Sequence, residues 1–197
     1  MSAYYKMTTV HGYQLDEVVS SVQKLIRRGM ADEAIWFAIE MNESGFGAYC
    51  WRRLLIIVSE DVGIGDPMAA PIVCSLWQMS IEIWKHDKAN AADKERVKWN
   101  GDALLEAVWY LAHAAKSREM VDAYAVIEQR VAKGERMTIP DFARDQHTAS
   151  GRAMGRGIDH FNEEGDKLEP LAEIDGNKWC QAWEAERPTA KDAAPSA

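Results

Sequence analysis

The chain lacks most of the features that would assign it directly to a common chemistry. Its 197 residues include only three cysteines, Cys50, Cys74 and Cys180, which are far apart and form no CxxC pair, so a cysteine zinc site is excluded. Such cysteine usage is typical of free thiols in a reducing compartment. No run approaches the roughly 18 apolar residues of a membrane span, and the N-terminus has no signal-peptide core. We therefore expect a cytoplasmic protein with no membrane partner.

Catalytic and nucleotide-binding motifs are also missing. The sequence has no HExxH, GxSxG, EF-hand or GxxxxGK[ST] pattern. The glycines of GRAMGRG, 151–157, resemble a phosphate cradle only superficially, because no strand precedes them and their order differs. We expect no ATP hydrolysis by the chain itself, no cofactor and no enzymatic activity.

Excess basic charge is absent, since the formal net charge is −8. Residues 157–197 hold ten acidic and four basic side chains, a net of −6, which leaves −2 for residues 1–156. This balance argues against a generally basic surface for nucleic acid or membranes. Local basic patches on the nearly neutral body stay compatible with it.

What the sequence does have is helical periodicity. Apolar residues recur at intervals of three and four, with glycines at the ends of segments. The predicted helices run over 15–28, 31–44, 48 to about 60, and 67 to about 86, followed by two helices that meet near Lys116 and Ser117 and close at Gly134. Residues 87–102 are predicted as a connection, and no strand is predicted before residue 135. The pattern predicts an all-α fold, a compact bundle of about six helices.

The predicted organisation has three parts. Residues 1–136 form the helical domain, residues 137–187 form an irregular, glycine- and arginine-containing extension packed on it, and residues 188–197 form a flexible tail.

The stretch SEDVGIGDP, 59–67, brings three carboxylates and two glycines together between apolar segments. Glu60, Asp61 and Asp66 could form an acid/base pair or a cation site. A structural corner explains them more simply: Asp66 caps a helix that begins at Pro67, the glycines allow the bend, and Glu60 or Asp61 pairs with arginines of neighbouring helices.

A second candidate site lies in the extension. Its cations and hydrogen-bond donors could contact the phosphates of DNA, or they could hold a structural loop against the acidic tail. The residues concerned are Arg144, His147, Thr148, Arg152 and Arg156.

A metal site is the weaker interpretation of the same region. Asp145, His147, His160 and Glu164 are suitable ligand types, and His160 and Glu164 are spaced i, i+4. No recognised metal motif contains them, so we expect no metal.

Tryptophans are numerous and occupy helical positions, which favours a core or a subunit interface over base-stacking platforms. A homo-oligomer is the expected consequence. The tryptophans concerned are Trp36, Trp51, Trp77, Trp84 and Trp109.

Residues 20–67 resemble the start of the C-terminal helical domain of the MgsA/RarA/WHIP family of AAA+ ATPases, relatives of clamp-loader subunits. The family pattern combines a helix ending in a basic residue and glycine, a helix of the type xxAxxxxxxMxxxG, and a helix reading RRLxxxxSEDxGxxDP. The matching residues are Arg28, Gly29, Ala34, Met41, Gly45, Arg52, Arg53, Leu54, Ser59, Glu60, Asp61, Gly63, Asp66 and Pro67.

The resemblance implies a collar-like domain that carries oligomerisation next to an ATPase acting at replication forks. The sequence has no counterpart of the ATPase module, so we expect a stand-alone protein, either one encoded by a phage or mobile element or a trimmed accessory factor. Three functional hypotheses remain: a non-enzymatic replication or recombination accessory that oligomerises and contacts DNA or a replisome ATPase, a metal- or phosphate-dependent enzyme, and an adaptor that mimics the collar of a host AAA+ ATPase.

Overall fold

The computed structural model describes residues 7–94 and 97–170, and the single residues Ala185 and Thr189. Within these ranges the chain is helical, and extended pairing is limited to one antiparallel bridge between Thr8 and Gln14. The all-α prediction is confirmed. The tail predicted over 188–197 and the last part of the predicted extension, from residue 171, lie outside the described residues, apart from Ala185 and Thr189.

The chain divides into two units, Met1–Gly134 and Glu135–Ala197. Over its described residues the first unit has six α-helices, which agrees with the predicted bundle of about six. They are α1 Leu15–Arg27, α2 Ala31–Glu43, α3 Gly47–Ile57, α4 Ala69–Asn90, α5 Gly101–His113 and α6 Glu119–Ala132.

The core forms where the apolar faces of α1, α2, α3 and α5 meet, together with Ala69 and Val73 of α4. Residues three and four apart on α1 share one face of the helix, and this face is fully buried. Gly29 follows α1 with a φ of 74°, the left-handed conformation expected of a glycine after a helix C-terminus. The largest fully buried side chains include Leu15, Ile26, Met41, Trp51, Leu54, Leu104 and Leu111.

The end of α3 differs from the prediction. The α-helix stops at Ile57 instead of near Glu60, and a wider π-helical turn over Val58–Val62 continues the chain. A short 3₁₀ turn, Gly63–Gly65, follows. The corner therefore consists of two non-α turns, which the apolar periodicity of the sequence could not distinguish from α-helix.

The bounds of α4 also differ. The helix begins at Ala69 instead of Pro67, because Asp66 Oδ1 accepts a hydrogen bond from the Met68 amide (3.0 Å) and forms a turn before the helix. Its other end reaches Asn90 instead of His86, so it takes the first residues of the predicted connection. Pro71 lies in the first turn, where its missing N–H costs no helical hydrogen bond.

The second unit is less regular. Its described elements are a 3₁₀ turn at Asp141–Ala143, the short helices α7 Ala149–Ala153 and α8 Ile158–His160, and a π-helical turn at Phe161–Gly165. The predicted domain boundary at residue 136 stays a prediction. In the described part of the chain, no helix combines the length and apolar character needed to cross a bilayer.

Candidate functional site

The acidic corner is built around Asp61, whose side chain is only 1% exposed. Arg27 Nε of α1 donates to Asp61 Oδ1 (2.7 Å), and Gln23 Nε2 donates to Asp61 Oδ2 (2.9 Å). The same Gln23 nitrogen also donates to Glu60 Oε2 (2.9 Å), while Arg53 of α3 donates to Gln23 Oε1. The predicted pairing of Asp61 with an arginine is confirmed, and its partner is Arg27.

The corner also contacts the connection between α5 and α6. The Ser117 amide donates to the carbonyls of both Asp61 and Val62, each at 3.1 Å. A Cβ on Gly65 would lie 2.7 Å from the Ala115 carbonyl oxygen, so only glycine allows the two backbones to approach this closely. Gly63 has a φ of 50° and faces the same connection.

Asp66 holds the far side of the corner. Its Oδ1 accepts from the Met68 amide, and its Oδ2 accepts from the Tyr110 hydroxyl of α5 at 2.7 Å. This hydrogen bond raises the pKa of Tyr110. Each carboxylate of the corner thus has a partner within the fold, which favours the structural interpretation over an acid/base or cation site.

The other corner residues differ in exposure. Ser59 is exposed, and its Oγ donates to the Ile56 carbonyl (3.0 Å). Arg52 is exposed and its guanidinium lies over the Tyr49 ring, 5.9 Å from the centroid, whereas Arg53 is half-buried. The two consecutive arginines therefore have different environments, although the sequence pattern treats them alike.

The loop of the second unit places its arginines mainly against its own backbone. Arg156 donates through Nη1 to the carbonyls of Asp141 (2.8 Å) and Arg144 (2.9 Å), and through Nη2 to Asp141 Oδ2 (2.5 Å). Arg152 Nη1 donates to the Gln146 carbonyl (3.0 Å). Of the three predicted phosphate contacts, Arg156 is chiefly a cross-link within this loop, and Arg144 is half-buried beside it.

The remaining predicted loop residues form a tight turn before α7. Thr148 Oγ1 accepts from the Gly151 amide (3.0 Å) and caps the helix. His147 Nδ1 lies 3.1 Å from Asp145 Oδ2, and the His147 amide donates to Asp145 Oδ1 (2.9 Å). These hydrogen bonds lower the pKa of Asp145. A Cβ on Gly151 would lie 1.8 Å from the Asp145 carbonyl oxygen, which explains the glycine.

The weak metal candidates do not assemble into a metal site. Asp145 and His147 contact each other, but Glu164 forms an ion pair with Lys167 (2.9 Å), and the buried Nδ1 of His160 has no hydrogen-bond partner among the described residues. Among the described residues, no group of three or more histidine, cysteine or acidic side chains is placed to hold a metal ion. The hypothesis of a metal-dependent enzyme therefore loses its ligand set.

Helix α6 carries a surface that the sequence interpretation missed. None of its 14 residues is buried, and Met120, Tyr124, Ile127 and Val131 are each 52–67% exposed. Their spacing of four, three and four is that of a coiled-coil seam, and this spacing could have been found in the sequence. We call these four residues the α6 stripe.

A second missed feature lies between α2, α3 and α4. Three indoles stack in series, with ring centroids 4.9 Å apart for Trp77 and Trp99 and 5.0 Å apart for Trp99 and Trp84. Buried Trp51 contacts Trp77 at the inner end, and the Lys88 ammonium lies 4.3 Å from the centroid of Trp84 at the outer end. The predicted core role holds for Trp51, whereas Trp36 and Trp109 are exposed.

The fold and the corner together define a class: a helical bundle similar to the C-terminal region of a family of AAA+ ATPases. Sequence similarity to known proteins confirms this resemblance. Replication-associated recombination protein A of Haemophilus influenzae is 27% identical over 150 residues, which are 76% of this chain and 31% of that protein. ATPase WRNIP1 of Dictyostelium discoideum is 28% identical over 160 residues, 80% of this chain and 17% of that protein.

Replication-associated recombination protein A of Bacillus subtilis is 28% identical over 144 residues, 73% of this chain and 31% of that protein. The chain thus spans less than a third of the length of these relatives, and the match corresponds to their C-terminal region. No protein-family model matches the chain.

Proposed function

We propose that this chain is a non-enzymatic accessory of DNA replication and recombination, acting in the cytoplasm, which self-associates and contacts DNA. The observation that carries the proposal is its similarity, over about three quarters of its length, to replication-associated recombination proteins. The similarity is to their C-terminal region, and the chain has no GxxxxGK[ST] motif. The role we propose for these residues needs no ATP hydrolysis.

Self-association is assigned to the α6 stripe. A 14-residue helix is marginally stable by itself in water, and its stability normally comes from packing an apolar face. In α6 that face is exposed. Packing it against another helix would remove four large apolar side chains from water, which is favourable because buried apolar area stabilises association.

The occupant we propose is α6 of a second copy, running antiparallel. The first turn of α6 carries the acidic residues Glu119 and Asp122, and its last turn carries Arg130. An antiparallel pair places each acidic end beside the basic end of the other helix, which also suits the two helix dipoles. Met120 then faces Val131 of the other copy.

The DNA contact is tested by the binding of a fluorescein-labelled 20-nucleotide oligo(dT), followed by anisotropy between 50 and 200 mM salt. Contacts to phosphates release counterions, so the logarithm of the affinity should fall linearly with the logarithm of salt, by about 0.7 per phosphate on a single strand. Absent binding at 50 mM salt, or binding unaffected by salt, would remove DNA from the proposal.

A second candidate is an adaptor that binds a AAA+ ATPase through that ATPase's own similar C-terminal region. The similarity itself favours it, because related surfaces can form mixed as well as identical pairs. Mixing the purified chain with a replication-associated recombination protein A distinguishes the two. A mixed species of summed mass supports the adaptor, and two unchanged masses exclude it.

A further inference from the structure

A groove on the first unit combines cations, indoles and a helix N-terminus. Its volume is about 660 Å³, and its wall includes Trp84, Lys88, Lys94, Lys98 and Trp99, together with the start of α3 at Gly47. We call it the Trp–Lys groove. It lies apart in sequence from the loop arginines and from the α6 stripe.

The charge of the groove contrasts with that of the chain. Three lysines line it, although the whole chain has a net charge of −8. Lys98 is paired with Glu43, so Lys88 and Lys94 supply the excess positive charge. A local basic patch on an acidic protein favours a polyanion at that place.

The start of α3 adds a second attraction for anions. Gly47 and Ala48, its first two residues, line the groove, and no side chain caps this helix N-terminus. Amides at a helix N-terminus have no partner within the helix, and the dipole places partial positive charge there. The glycine is required, because a Cβ at position 47 would lie 2.6 Å from the Trp99 ring.

The indoles determine which polyanion fits. Trp99 is stacked on both sides, by Trp77 and Trp84, whereas the Lys88 ammonium lies over Trp84, 4.3 Å from its ring centroid. Stacking of a nucleobase on an indole is stronger than a solvent-exposed cation–π contact, so a base can replace the ammonium. Lys88 is then free to pair with the adjacent phosphate.

A buried acceptor lies beside the groove. Asn42 lines the groove, and its Nδ2 donates to the Trp99 carbonyl at 3.1 Å. Its Oδ1 is buried and has no donor among the described residues. This oxygen lies against the start of α3, because a Cβ at position 47 would be 2.3 Å from it.

We propose that the Trp–Lys groove binds single-stranded nucleic acid, with one base stacked on Trp84 and the flanking phosphates held by Lys88, Lys94 and the N-terminus of α3. The inference deepens the DNA contact of the proposed function and rests on it. A duplex does not fit the groove in this way, because its bases are stacked on one another and not available to an indole.

The test compares the oligo(dT) affinity of the double variant K88A/K94A with that of K85A. Lys85 is on the same helix and exposed but pairs with Glu82 outside the groove, which makes K85A a matched control. Losing two phosphate contacts should weaken binding about tenfold at 150 mM salt and reduce the salt slope by about 1.4. K85A should bind like the unmodified chain.

A third variant, W84F, and a duplex of the same length test the stacking. W84F should weaken single-strand binding about threefold with an unchanged salt slope, and the duplex should bind at least tenfold more weakly than the single strand. Equal affinity for duplex and single strand would overturn the inference. Thermal melting of each variant checks that the fold is intact, and the salt slope does not depend on the fraction folded.

The outcomes separate this inference from the proposed function. If the unmodified chain binds oligo(dT) and K88A/K94A binds equally well, the groove is not the site, although the DNA contact stands. If the unmodified chain does not bind at any salt, both the DNA contact and the groove assignment fall.

Discussion

At the scale of single residues, the stability of the corner depends on Asp61. Its carboxylate is buried, yet both oxygens accept hydrogen bonds, one from Arg27 and one from Gln23. A buried charge without partners is strongly destabilising, so these two donors are what allow an aspartate at this position. Because Arg27 is 38% exposed, water also screens part of the ion pair.

Replacing Asp61 with asparagine should therefore destabilise the fold by about 2–3 kcal/mol, the range for losing hydrogen bonds to a charged group. Urea unfolding measures this change. The neighbouring variant E60Q is the matched control, since half-buried Glu60 accepts one hydrogen bond from Gln23, and we expect a cost below about 1 kcal/mol. A larger effect for E60Q than for D61N would contradict the assignment of Asp61 as the centre of the network.

The cysteines offer a second test at this scale. Burial raises the pKa of the Cys50 thiol to about 12, whereas Cys74 is exposed. Because the thiolate is the reactive form, iodoacetamide at pH 8 should label Cys74 and leave Cys50 unmodified until the protein unfolds. Peptide mass spectrometry reads each site separately. Equal labelling of both under native conditions would show that α3 is less buried than described.

The second unit should show low carboxyl pKa values. The Arg156 hydrogen bond lowers the pKa of Asp141, with the charges of Arg156 and Arg144 adding to the effect, and the His147 contacts lower that of Asp145. A lowered folded pKa stabilises the loop above the ordinary value of 3.8 and loses that contribution as the pH falls through the folded value.

Carboxyl NMR titration should give pKa values below the ordinary 3.8 for both Asp141 and Asp145. The variant R156A should move the Asp141 midpoint upward and leave the Asp145 midpoint in place, because His147, and not Arg156, is the partner of Asp145. A midpoint at or above 3.8 for Asp141 in the unmodified chain would rule out the loop arrangement.

At the scale of elements, the corner between α3 and α4 is where sequence and structure differ most. The helices themselves could be predicted from apolar spacing and glycine positions, as α1 with Gly29 illustrates. The π-helical turn could not, because its Asp61 and Val62 carbonyls accept from the Ser117 amide, some 55 positions away. Local propensity carries no information about such distant donors.

The close approach of backbones at Gly65 leads to a prediction about stability. G65A should destabilise the fold by about 2 kcal/mol, because the added Cβ meets backbone atoms of the α5–α6 connection that cannot give way cheaply. G101A is the control: position 101 begins α5 and has no atom within 4 Å of an added Cβ. Alanine there should be neutral or stabilising by up to about 1 kcal/mol. Thermal or urea unfolding measures the stability of both variants. Equal changes in stability for G65A and G101A would refute the close approach of the two backbones at Gly65.

The candidate sites were predictable to different degrees for a related reason. The arginines of the loop could be recognised in the sequence as a cluster. The sequence could not show that Arg156 turns back and donates to Asp141 and Arg144. The Trp–Lys groove could not be found, because Trp84 and Trp99 lie on either side of a connection whose path decides whether the rings meet. The α6 stripe could have been predicted from the spacing of apolar residues alone.

At the scale of the whole molecule, the central question is whether the exposed helix pairs. Within its described residues, the chain buries one core formed by α1, α2, α3, α5 and the start of α4, while α6 contributes nothing to it. The origin of the gene in a phage or mobile element stays a prediction, which the neighbouring genes would test. Self-association through α6 is open to direct measurement.

The decisive measurement is the mass by light scattering of the unmodified chain, of I127E and of V126E. Ile127 lies in the α6 stripe, and Val126 is an equally apolar, 49% exposed neighbour outside it, so the two variants add the same charge to different faces of one helix. We predict a multiple of 22.2 kDa for the unmodified chain and V126E, and 22.2 kDa for I127E. An unmodified chain of 22.2 kDa, or an I127E variant that keeps the full mass, would contradict the account.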